Sequence, residues 1–346
     1  MPQRRALLAA LAAPALLRPG AARAQEVTLR LHHFLPAVSN VHRFFIQPWV
    51  QKVQAESNNR IRIQVFPAMQ LGGAPPQLFD QARDGVADII WTLPGSTPGR
   101  FPRIEVFELP FVAHRRAAVN VRAVQELYER RMRDDFKEVH ILTAWGHDAG
   151  LIHSRREVRR MEDLNGLKLR FPTRQTGEAL KALGASPVGM PVPQIPEALT
   201  QGVIDGAVVP WEVVPSIRLH EMVKNHTEIT GSPTLYIATF VLAMNKPKYE
   251  GLPADLRAVI DANSGQVAAQ MAARPWDEEG PKVEAMVRKR GNQIIELPEE
   301  ERNRWQRQTA PVIENWIAAM KDRNIDGGAL LAEARALIAQ YGQGVS

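Results

Sequence analysis

Arg170 is the strongest candidate for a chemical role in this sequence. It closes the short alternating run Leu167-Lys-Leu-Arg170, and Phe171-Pro172 follow it. A guanidinium at a strand end can grip a carboxylate with two parallel hydrogen bonds. The alternative is a surface salt bridge, the usual fate of an arginine. Trp91 and Trp211 stand at the C-terminal ends of the apolar runs that begin at Val86 and Val203. An indole there can wall a ligand pocket or pack into the core. Glu212 can meet a ligand hydroxyl or amine, or be solvated. His32, His33, His147 and His153 invite a metal reading. His147-Asp148 with His153 lacks the close helical spacing of zinc motifs, so no metal is expected. His147 and His153 read instead as structural or ligand-contacting. The sequence has no Gly-x-Ser-x-Gly, phosphate loop or dinucleotide Gly-x-Gly-x-x-Gly, so no catalytic residue and no cofactor is assigned.

The stretch from Gly166 to Trp211 must position these groups. Leu167 and Leu169 alternate with Lys168 and Arg170, as in a strand, and Pro172 ends it. Gly177 to Leu183 reads as a helix stopped by Gly184. A short strand and a second helix lead to Gly202. Val203 to Val209 is β-branched and apolar, which predicts a buried strand. Strand, helix, strand, helix, strand is an α/β unit, and ligands in such units sit where strands end. Gly85-Val-Ala-Asp88 echoes Gly202-Val-Ile-Asp205, each between a helix and an apolar strand, which suggests two lobes of like construction.

Several motifs here occur in a shared order and spacing. They are Gly166-Leu-Lys-Leu-Arg170-x-Pro172, Leu183-Gly-Ala-Ser-Pro187, Met190 and Glu197-Ala-Leu-x-x-Gly-x-x-Asp-Gly206. Together they resemble the DctP-like solute-binding proteins of TRAP (tripartite ATP-independent periplasmic) transporters. The resemblance implies a two-lobed periplasmic binding protein fold of α/β type with a hinged central cleft. It implies that Arg170 binds the ligand carboxylate and that Trp211, Trp91 and Phe171 line the site. Val209 matches a position where some members carry a ligand-binding asparagine, so this part of the site should be more apolar. Many members place a second arginine just past the strand entering the second lobe, but Trp145 to His153 holds none. The implied ligand is a small carboxylate, a monocarboxylate with an apolar or aromatic body, and the implied partners are the TRAP membrane permease subunits. A binding protein of an ATP-driven transporter is the nearer rival reading, and a secreted α/β enzyme the more distant one.

Charge and length agree with export and two lobes. The chain has 346 residues and a formal charge of +6, enough length for two cores. Residues 1–24 carry four arginines and no acid, so the remainder stands at +2. Near-neutrality argues against nucleic acid as partner. Arg4-Arg5, the apolar run Ala6 to Leu17 and Ala22-Arg-Ala24 read as a cleavable signal peptide, which predicts a periplasmic protein. No later stretch is long and apolar enough for a membrane helix. The absence of cysteine leaves stability to the core.

Beyond the signal at 1–24, the expected first lobe is 25–146 plus about 236–275. The second is 147–235 plus about 276–346, with C-terminal helices. Ser232 to Met244 is the expected return strand. A helix from Leu252 to about Arg290 should be kinked or split by Pro275 and Pro281.

Overall fold

The computed structural model describes residues 26–345. The expected signal segment lies outside the described residues. Among the described residues, eleven strands form two sheets. In chain order they are β1 (Val27–His33), β2 (Ile61–Phe66), β3 (Ile89–Thr92), β4 (Val139–Gly146), β5 (Leu151–Ser154), β6 (Lys168–Phe171), β7 (Ser186–Gly189), β8 (Gly206–Val209), β9 (Asn225–Glu228), β10 (Thr239–Asn245) and β11 (Gln293–Glu296). The first sheet runs β2-β1-β3-β10-β4 and the second β11-β9-β5-β8-β6-β7. The molecule is thus α/β with two lobes. In the first sheet β1, β2 and β3 are parallel, while β10 lies antiparallel between β3 and β4. The chain crosses between β4 and β5, returns between β9 and β10, and crosses again before β11.

The helices cover both sheets, as buried parallel strands require. His42–Glu56 turns Phe45, Trp49 and Val53 onto the first sheet, one face of a helical repeat. Ala117–Leu127 packs on β4, and Gly265–Asp277 packs on both. In the second lobe Arg174–Ala182 covers β6 and β7.

Four expectations need correction. The strand expected from Val203 begins at Gly206, and Val203 is 45% exposed. Pairing starts only where β8 meets both neighbours, with Gly206 opposite Leu169 and Ser154. A Cβ at Gly206 would lie 2.3 Å from the His153 carbonyl oxygen, so only glycine permits this approach. The return strand starts at Thr239, not Ser232. Residues 236–238 run beside residues 147–150 through isolated bonds instead, Gly150 N–H donating to Tyr236 O and His147 N–H to Ala238 O, while residues 232–235 bond to residues 111–115.

The region after Leu252 forms three helices, Ala254–Ala262, Gly265–Asp277 and Gly280–Lys289. Neither proline breaks the first junction. Asn263 holds it, its carbonyl accepting from Trp49 Nε1 at 2.7 Å and its amide donating to Val259 O. Pro275 stays inside its helix, while Pro281 sits in the first turn of the next, where its missing N–H costs nothing. Finally, Glu299–Lys321 is one 23-residue helix containing both Pro311 and Trp316. The terminal helix Gly327–Gly342 packs on Ala117–Leu127 in the first lobe, so residues 276–346 do not all belong to the second.

Candidate functional site

Between the sheets lies a small cavity of about 40 Å³, open to solvent at its mouth. Both lobes supply its walls. The first sheet brings Trp91 and Phe240, and the loop after β1 brings Phe34. The second brings Arg170, Val208 and Val209, and the turn after β8 brings Glu212. Trp276 closes one side from its helix, and His147 and Tyr236 come from the crossing segments. The rings form a continuous array. Trp91 lies 5.8 Å from Phe240, which stacks on Trp276 at 5.8 Å and 24°. An outer vestibule shares Phe34, Leu93, Arg170, Pro172 and Val192 with the cavity, and Phe171 lines it.

Arg170 is 2% exposed and has no carboxylate partner among the described residues. Its place follows from the pleat: β6 alternates, so Leu169 enters the core while Arg170 reaches the cavity. Nε donates to Met190 O at 2.8 Å and Nη1 to Val208 O at 3.2 Å. A guanidinium has five N–H donors, so three remain. Burial lowers its pKa to about 10, Tyr236 acting in the opposite sense. Tyr236 is itself buried, and its hydroxyl has no hydrogen-bond partner. A cation buried without a counter-charge is costly. An anion at this end of the cavity would offset that cost.

His147 lines the cavity, but the backbone occupies both its nitrogens. Nδ1 donates to Asp148 O at 2.5 Å, and Nε2 accepts from Ala238 N–H at 2.8 Å. Burial, with a smaller push from Arg170, drives its pKa to about 3, so the ring is neutral. Glu212 is buried on the cavity wall, and its Oε1 accepts from Val41 N–H at 3.1 Å. Burial raises its carboxyl to about 7.

Two candidates lie elsewhere. After Pro210 the chain enters a helical turn, Trp211–Val213, whose successive side chains leave on different sides. Glu212 enters the cavity, while Trp211 points away, donating from Nε1 to Glu228 Oε1 at 2.7 Å. Trp211 lies against His153 and His226 on the far side of β8, not in the cavity. His153 is fully committed to the fold. Asn292 donates to His226 Nε2, His226 Nδ1 meets His153 Nδ1 at 2.7 Å, and His153 Nε2 donates to Val209 O. That chain fixes the tautomers of both rings, and burial holds the His153 pKa well down. Among the described residues, no group of three or more His, Cys, Asp or Glu side chains is arranged to hold a metal.

Sequence reasoning missed Phe34, Tyr236, Phe240 and Trp276. For two of these a signal existed. Tyr236, Ala238 and Phe240 alternate and all face the cavity, the mark of one face of an extended segment. Trp276, near the end of a helix, carried none.

The sequence profile described as "Bacterial extracellular solute-binding protein, family 7" (DctP) matches residues 31–319. Among solved structures, a TRAP solute-binding protein from Rhodoferax ferrireducens T118, in complex with copurified benzoate, is 46% identical with a TM-score of 0.90. The match covers 92% of this chain and 100% of that one. A marine metagenome TRAP solute-binding protein specific for aromatic acid ligands, in complex with 3-hydroxybenzoate, is 43% identical with a TM-score of 0.89, covering 92% and 99%. One from Bordetella bronchiseptica, with bound (R)- and (S)-mandelate, is 28% identical with a TM-score of 0.84, covering 91% and 99%. The cleft between two α/β lobes and the profile match over most of the sequence agree: this chain belongs to the DctP family of bacterial extracellular solute-binding proteins, the TRAP type.

Proposed function

We propose that this chain is the periplasmic receptor of a TRAP transporter, capturing an aromatic monocarboxylate between its lobes and delivering it to the membrane permease. The unpaired, buried guanidinium of Arg170, facing an aromatic-walled cavity, carries the reading. A ligand carboxylate would take its free donors and the Tyr236 hydroxyl, in charge-assisted bonds. Among the described residues, no other lysine or arginine lines the inner cavity. A second carboxylate would be desolvated without a partner, at a cost of several kcal/mol. The similar proteins that hold benzoate, 3-hydroxybenzoate and mandelate support the same class.

The reading is binding without turnover. Among the described residues, the only histidine on the inner cavity, His147, has no nitrogen free to act as a base. Delivery requires opening, and the lobes meet through few polar bonds. Val41 N–H donates to Glu212, and Gln175 Nε2 donates to Glu105 Oε2 at 2.7 Å. A ligand that contacts both lobes favours this closed state. Hinge positions fall where the chain crosses, between β4 and β5, between β9 and β10, and between Asp277 and Gly280.

Native mass spectrometry of protein purified without denaturation should reveal a bound aromatic acid. Calorimetry with benzoate, mandelate, succinate and malate then ranks the classes. A four-carbon dicarboxylate binding tightest, with no monocarboxylate bound, overturns the reading. An intact mass beginning at Gln25 for protein from the periplasm tests the location.

A further inference from the structure

We propose that Glu212 selects, among aromatic acids held by Arg170, those carrying a hydrogen-bond-donating hydroxyl on the part of the ligand remote from the carboxylate. The inference rests on the ligand class given above and adds a second polar anchor to it.

Arg170 and Glu212 line one cavity, yet they do not pair. Arg170 is anchored to the Met190 and Val208 carbonyls and Glu212 to the Val41 N–H, so the two are separate polar points on one lining. The rest of the lining is mainly apolar or aromatic, chiefly Trp91, Val209, Phe240 and Trp276, with His147 and Tyr236 the other polar side chains. A flat apolar body lies against these walls, with its anion at Arg170.

Glu212 has acceptor capacity left over. Oε1 takes the Val41 N–H, and no side-chain donor of the described residues bonds to Oε2. A carboxyl oxygen buried against a ligand without a donor loses its hydration and gains nothing. A phenolic or alcoholic O–H donating to it removes that penalty. Sites built this way discriminate strongly against the analogue lacking the hydroxyl, because the protein group is then left unpaired.

The test is calorimetry on the whole chain, freed of copurified ligand by denaturation and refolding. The panel is benzoate, phenylacetate, their ring-hydroxylated isomers and the matching methoxy ethers. The wild-type protein should bind at least one hydroxylated isomer about tenfold or more tighter than both its parent acid and its ether. In Glu212→Leu that ratio should fall below about threefold. Glu212→Gln keeps an oxygen for Val41 and can turn its NH₂ to the ligand, so the hydroxy-over-methoxy preference should collapse there too. It decides the matter if the leucine variant does not fold. A wild-type protein indifferent to the hydroxyl, or a preference surviving both variants, overturns this proposal and leaves the aromatic-acid reading intact. Failure of every aromatic acid to bind overturns both.

Discussion

Asp88 and Asp205 make the same two bonds in the two lobes. Asp88 N–H donates to Arg30 O at 3.0 Å, and its carboxylate accepts from Arg30 N–H at 2.7 Å. Asp205 N–H donates to Lys168 O at 2.8 Å, and its carboxylate accepts from Lys168 N–H at 2.9 Å. The Gly-Val-x-Asp echo is therefore a joint: a glycine at positive φ stops the helix, and the aspartate pins the next strand to its neighbour. In the second lobe the pinned neighbour is β6, which carries Arg170. Asp205→Ala should leave the Lys168 N–H with one bond fewer and loosen that strand. We expect a loss of about 1–2 kcal/mol in chemical denaturation, and weaker ligand binding than in Asp88→Ala, whose strand bears no anion-gripping residue.

Arg170 itself is the plainest case. Arg170→Ala should weaken binding of the preferred acid by about 2–5 kcal/mol, mostly through faster release. Arg170→Lys should rescue poorly, because an ammonium lacks the planar fork. Calorimetry with stopped-flow tryptophan fluorescence checks both numbers. Unchanged affinity in a folded alanine variant would rule out the role.

Tyr236→Phe removes a hydroxyl that bonds to nothing in the protein. Its melting temperature should match wild type without ligand. Its affinity for the carboxylate should fall by about 1 kcal/mol, the net worth of one hydrogen bond. A lower melting temperature with unaltered affinity would mean that the hydroxyl serves the fold instead.

Glu108 supplies a pH test. It is buried, with Oε1 accepting from Thr239 N–H and Oγ1, and burial raises its carboxyl from 4.5 to about 7. Between those values the folded protein holds a proton that the unfolded chain has released. Its contribution to stability is thus full below pH 4.5 and is lost as pH rises through 7. Glu108→Gln stays neutral and keeps the acceptor. The variant should gain melting temperature over wild type at pH 8 and show little gain at pH 5, as read by differential scanning calorimetry.

Periodicity made the lobes legible, because amphipathic runs report the face a sheet or helix buries. Arg170 stood out through the family resemblance, because an arginine at a strand end is by itself more often a surface ion pair. Trp211 misled because its turn is only three residues long. Over such a turn, adjacent side chains part company, and Glu212 rather than Trp211 enters the cavity. His153 misled because its partners, His226 and Asn292, are distant in sequence. The edges of β8 and β10 slipped because hydrogen-bond pairing, not composition, decides where a strand starts.

The wall that Phe34 and Trp276 share has a consequence for how the chain acquires its site. These residues stand 242 positions apart. No fragment of the growing chain can form the cavity, so ligand recognition is the last property to appear, after long loops have closed at their entropic cost. Once formed, the cavity couples the lobes. A solute that touches both stabilises the native state of the whole molecule by RT ln(1 + [L]/Kd) and nothing shorter. Heat should therefore melt a saturated protein in one transition, with both sheets lost together, even where the empty protein loses one lobe before the other.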